Sequence, residues 1–96
     1  MPSANRVVYR KHAIEQMFLR SIPTADVRYV LEHGDVIEEY PSDVPFPSRL
    51  ILGFCHGRPL HVVAADHHSE PVTFVITVYE PDPERWDETF RHRRPS

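Results

Sequence analysis

Cysteine and glycine are scarce in this chain: its 96 residues hold one cysteine, Cys55, and three glycines, Gly34, Gly53 and Gly57. A lone cysteine excludes an internal disulfide, and its apolar, strand-like neighbours predict a buried small thiol. Three scattered glycines exclude a glycine-rich phosphate loop. No apolar run approaches the roughly 20 residues needed to span a bilayer. The opening Met1-Pro2-Ser3-Ala4-Asn5-Arg6 lacks the apolar core of a secretory signal. A soluble protein of a reducing cytoplasm, away from membranes, is expected.

An excess of basic charge is also missing, since the net charge is −3. The balance is uneven along the chain. Residues 1–28 carry five basic side chains against two acidic ones, residues 29–90 carry three against twelve, and the tail adds three arginines. Non-specific binding of polyanions by the whole surface is therefore excluded, although a local basic surface on the first helix is not. What is abundant is proline, with ten residues placed singly at apparent element boundaries. Hydrophobic residues make up 41 % and charged residues 26 %, an ordinary globular composition. Residues 1–96 are of a length suited to a single domain.

Apolar residues Ile14, Met17 and Phe18 recur at helical spacing between about residues 9 and 20, and predict an amphipathic first helix. Its opposite stripe holds His12, Gln16 and Arg20, each four residues apart. Pro23 ends that helix. Thr24 then suits an N-cap for a second helix whose stripe is Val27, Val30 and Leu31, with Gly34 as a left-handed stop. After Gly34 the period changes to two. Val36 to Tyr40 reads as an acidic, edge-like strand. The prolines of 41–48 demand a loop. Arg49 to Cys55 and Arg58 to Ala65 form a hairpin about His56-Gly57, and Val72 to Tyr79 is the most β-prone run. Asp82 and Pro83 suit the start of a short C-terminal helix burying Trp86 and Phe90. The expected class is α+β, with two N-terminal helices packed on a four-stranded antiparallel sheet.

Metal and nucleophile patterns are weak. His67-His68 with Asp66 and Glu70 is loop-borne and lacks a cysteine pair, and Cys55 with His61 lacks an oriented base. A better set spans both halves of the chain: His12 and Arg20 on the first helix, Arg58 and His61 on the second hairpin strand, Thr77 and Tyr79 on the last. The face that His61 takes depends on the hairpin register, since a one-residue slip inverts it.

Four stretches carry a resemblance: His12-Ala13 with Arg20-Ser21-Ile22-Pro23; Gly34 to Pro41; Gly57 to Val63; and Thr77 to Pro81 with Trp86. Together they resemble the bacterial domain-of-unknown-function family numbered 4258, over about residues 9–90. The resemblance implies a fold similar to RelE-like and barnase-like ribonucleases. It also implies a toxin role toward RNA or the ribosome, with an antitoxin of zinc-ribbon or helix-turn-helix type. Carried onto this chain, it makes His12, His61 and Tyr79 the catalytic candidates, and Arg20, Arg58 and Thr77 the substrate-binding ones.

The implied chemistry needs no metal or cofactor. A base takes the ribose 2′-OH proton, the oxygen attacks phosphorus, and an acid protonates the leaving 5′ oxygen. Histidine serves either role near neutral pH, and arginine holds the phosphorane through its planar fork. That reading requires the helix stripe and His61 to face one cleft. The alternatives are a non-catalytic protein-interaction module and a regulatory subunit that limits RNA or ribosome access without cutting.

Overall fold

The computed structural model describes residues 5–95. Seven elements follow in order: β1 (Arg6–Tyr9), α1 (Lys11–Leu19), α2 (Thr24–His33), β2 (Asp35–Tyr40), β3 (Ser48–Cys55), β4 (Arg58–Asp66) and β5 (Val72–Tyr79). The strands form one sheet in the order β1-β5-β4-β3-β2. β2 to β5 pair antiparallel, neighbour to neighbour, while β1 lies parallel to β5. The class is α+β, but the sheet is mixed and five-stranded rather than antiparallel and four-stranded. The extra strand is only four residues long, and its partners, Val72 to Val75, lie at the far end of the sequence. Nothing local announces such a pairing.

The β3–β4 hairpin turns through His56 at φ 55° and Gly57 at φ 77°. Two successive positive φ angles are the signature of a type I′ turn, whose twist matches the flanking strands. This hairpin fixes the register Leu52↔His61 and Ile51↔Val62. Side chains alternate from there. Ile51, Leu60, Val62 and Ala64 face the helices and join Ala13, Met17, Val27, Val30, Val75 and Val78 in the main core. Leu50, Leu52, His61 and Tyr79 therefore face the other way.

Four local expectations fail for identifiable reasons. Helix α1 buries Ala13 and Met17, leaving Ile14 and Phe18 exposed. It packs on β5 near the sheet's end, where a single i, i+4 stripe meets the core. Pro23, not Thr24, holds the N-cap position of α2, and no side chain caps it. Gly34 is not left-handed, since its φ is −75°. Glycine is required there by close approach: a Cβ would stand 2.6 Å from the Val30 carbonyl and 2.7 Å from that of Leu52.

The fourth is the C-terminal helix, which does not form: a single turn at residues 83–85 stands in its place. Asp82 caps that turn by accepting from the Glu84 amide at 2.9 Å, while its carbonyl accepts from Trp86 at 3.0 Å. Asp87 then draws the chain out of helical geometry. Its carboxylate accepts from the Thr89 amide and hydroxyl and from the Arg91 amide, offering the backbone an alternative to the next helical turn. The chain folds back, with Trp86 bridged to Arg93 and the Arg94 amide bonded to the Arg85 carbonyl. This segment, residues 81–95, covers the sheet face turned from the helices, and Trp86 is buried there.

Gly34→Ala should destabilise the protein by about 1–3 kcal/mol, because two of the three obstructing groups are backbone carbonyls that cannot swing aside. The check is the urea midpoint at constant m-value. An unchanged midpoint would refute the close-approach account.

Candidate functional site

His61 is 0 % exposed. It sits on the outer face of β4, directly across from Tyr79 on β5. Its Nε2 lies 2.8 Å from the Phe90 carbonyl oxygen, which can only accept, so Nε2 carries the proton. Nδ1 is then the acceptor for the Tyr79 hydroxyl at 3.2 Å. The neutral ring is satisfied at both ends. Trp86 meets it edge-on, with ring centroids 4.5 Å apart at 88°. The Phe90 carbonyl is aimed at this point by a backbone with φ 61°, a left-handed conformation uncommon for a bulky residue.

Beside this ring lies an ion pair on the same face. Arg93 donates through Nε and Nη2 to the two oxygens of Glu38, each at 3.1 Å. The Tyr40 hydroxyl donates to Glu38 at 2.6 Å. Arg93 also lies over the Trp86 ring, 4.6 Å from its centroid. β2 supplies Glu38 and Tyr40 to this face because Ile37 is a bulge residue, unpaired between Val36↔Ile51 and Glu38↔Leu50. Arg91 anchors the same segment to Asp35.

The charges follow from these contacts. The Arg93 hydrogen bonds hold the Glu38 carboxyl below its usual range, and Glu38 in turn raises Arg93. Burial, together with the hydrogen bond to Glu38, pushes the Tyr40 hydroxyl up to about 12. Burial depresses His61 and raises Tyr79. Glu38 and Arg93 act electrostatically on both of those groups, so the five side chains form one field.

One family model matches residues 9–80, that of the family described as Domain of unknown function (DUF4258). The chain belongs to that family. No curated protein and no solved structure gives a significant match. Residues 81–95 of this DUF4258 chain, which close the His61 site, lie beyond the matched segment.

The sequence-derived candidates in this family member separate into groups. His61 and Tyr79 are in contact, and Thr77 shares the outer face with them. His12 is exposed on α1, which packs on the opposite face of the sheet, so His12 and His61 cannot address one phosphate. The expected pairing of these histidines is thus overturned by strand alternation.

Arg20 and Arg58 meet, but as a structural joint. Helix α1 ends in a Schellman motif, with Ile22 bonded to the Met17 carbonyl, Ser21 to that of Phe18, and Ser21 at φ 53°. Arg58 donates Nη2 to the Arg20 carbonyl at 2.5 Å and Nη1 to that of Ser21 at 3.2 Å, while Nε binds Glu80. Its guanidinium is occupied in tying the helix end to the sheet. The side chain of Arg20 is exposed on the helix side.

Cys55 is buried on the helix side, its thiol raised by burial and by Asp26, so it cannot pair with His61 across the sheet. Among the described residues no group of three or more His, Cys, Asp or Glu is gathered to hold a metal ion, and no helix is long and apolar enough to cross a membrane. Glu38, Tyr40 and Arg93 escaped the sequence reading. The acidic run hid Glu38 as an edge-strand charge, and Arg93 read as a tail residue. The pairing of Glu38 with a residue 55 positions away leaves no local pattern.

His61 gives folding a pH dependence. Its folded pKa is depressed, so below about pH 6.5 the unfolded chain binds a proton that the folded chain refuses. Stability should be fully present above about pH 6.5 and fall as pH drops toward the folded pKa. Denaturation midpoints from pH 8 to 5 check this, with His61→Gln expected to flatten the slope relative to wild type. An equal slope in both proteins would remove His61 as its source.

Proposed function

We propose that the domain is a metal-independent endoribonuclease of the toxin type, acting from the outer sheet face rather than from a cleft between α1 and β4. One observation carries this: a carboxylate, a guanidinium, two tyrosines and a histidine share a single electrostatic field on that face. Among them are a base, an acid and a cation for the phosphate, the three roles that transesterification by the ribose 2′-OH uses. The family resemblance supports the same substrate class.

In this reading Glu38, already ionised, takes the 2′-OH proton. Arg93 exchanges its carboxylate partner for the phosphate, stabilising charge as it develops on the equatorial oxygens. Tyr79 turns its hydroxyl proton from His61 to the leaving 5′ oxygen and is left as the phenolate. His61, sealed behind Tyr79, is a positioning residue that holds the phenol through its unprotonated Nδ1 before that transfer. Residues 81–95 must shift for RNA to reach Glu38, since Arg93 belongs to that segment. An antitoxin that holds this segment closed would silence the site without touching Glu38.

A second reading, the protein-interaction module, has its own observation. Phe18 is 84 % and Leu19 72 % exposed, with Ile14 one turn earlier on the same helix. Exposed apolar clusters of this kind mark partner surfaces.

The experiment is digestion of a mixed-sequence RNA by purified protein in EDTA, with product ends analysed for 2′,3′-cyclic phosphate. Wild type should yield cyclic ends, Glu38→Gln should lose about 10²–10⁴-fold in rate, and His12→Ala should cleave normally. Loss of activity in His12→Ala with retention in Glu38→Gln would overturn the assignment. Intact RNA, both free and on ribosomes, would shift the function to the α1 surface.

A further inference from the structure

The outer sheet face carries a second constellation, away from His61. Phe74 on β5 and Phe46 in the 41–47 loop stack in parallel, with centroids 5.7 Å apart and planes 3° from coplanar. The Arg10 guanidinium lies over Phe74, 4.5 Å from its centroid. His67 and His68 stack on each other and approach Phe46 at 4.7 and 5.4 Å. A groove of about 280 Å³ opens between the loop and the strands, lined among others by Arg10, Asp43, Phe46, Phe74 and Ile76, with the Asp43 carboxylate engaged by the Ser48 hydroxyl.

Two features suit this groove to a ligand. Its planar groups are both aromatic and cationic, which fits a flat aromatic ligand bearing negative charge. Arg10 is also fixed rather than trailing: its backbone amide donates to the Val75 carbonyl at 2.9 Å, and it occupies the N-cap position of α1. Its guanidinium forms no ion pair among the described residues and is exposed.

The position of the groove follows from a bulge. Phe74 and Tyr79 are five positions apart, an odd interval that should put them on opposite faces. Ile76 is the extra residue between Val63↔Thr77 and Ala64↔Val75, and it reverses the alternation. Phe74 therefore shares the outer face with Tyr79, about 15 Å along the strand. Once residues 81–95 have shifted, a single strand of RNA laid on this face would meet both.

We infer that this groove is a base-binding subsite for single-stranded RNA, in which a nucleobase extends the Phe46–Phe74 stack from outside and Arg10 holds the adjoining phosphate. The inference deepens the ribonuclease reading and rests on it for the substrate class. Stacking accepts any base, so the subsite contributes affinity and strand placement rather than sequence choice.

The test is fluorescence anisotropy with a labelled 2′-O-methyl tetranucleotide, which lacks the attacking hydroxyl and so reports binding alone. Phe46→Leu keeps apolar bulk but removes the π-face; it should weaken binding about 5- to 100-fold with an unchanged melting temperature. Arg10→Gln should also weaken binding and reduce its salt dependence. Unchanged affinity in both variants, or no binding of the tetranucleotide by wild type, would overturn the subsite even where RNA is cleaved. Binding that depends on Phe46, from a protein that cuts no RNA, would sustain the subsite and overturn the cleavage reading.

Discussion

Strand β4 is apolar on both faces, and neither face can be left to water. Leu60, Val62 and Ala64 meet the helices, while His61, Val63 and Ala65 point the other way. A small sheet usually solves this by making one face polar. Here a second cover is built instead from residues 81–95, and most of the unusual features of the molecule follow from it. The left-handed Phe90, the turn organised by Asp87, and the arginines bound to Asp35 and Glu38 all serve to lay that segment across the sheet. The neutral His61 is the polar contact at its centre, and it is tolerated because both ring nitrogens find partners.

The same cover determines what chemistry the outer face can support. Exposed ion pairs such as Arg91–Asp35 contribute little to stability, because water and salt compete for both partners. Buried Trp86, with its ring against His61, supplies the larger part of the adhesion. A segment held by one buried aromatic and several replaceable ionic contacts is suited to moving as a unit. Arg93 is one of these fastenings, bound to Glu38 and laid over the Trp86 ring.

What was legible in the sequence was governed by distance along the chain. Helix α2, the His56-Gly57 hairpin and the edge strand β2 depend on neighbours within ten residues, and their patterns are visible. Contact between His61 and Tyr79 was half-visible, since both lie in recognisable strands but their register needed the fold. Strand β1, the Ile76 bulge and the Glu38–Arg93 pair each depend on partners far away, and no periodicity encodes them. Gly34 shows a subtler failure: glycine was correctly read as necessary, but the cause was a crowded helix-to-strand junction rather than a positive φ. His12 failed because helical spacing says which residues share a stripe, not which side of a distant sheet that stripe overlooks.

The match to the DUF4258 family ends at residue 80, yet the packing does not. Trp86 buries its ring after that limit, and the carbonyl that completes His61 belongs to Phe90. A boundary drawn from sequence likeness would cut between a hydrophobic surface and its cover. A fragment cut to the match would keep both helices and β2 to β5 while losing most of β1 and its outer seal, and the His61 ring would lose the Phe90 carbonyl and the Trp86 edge.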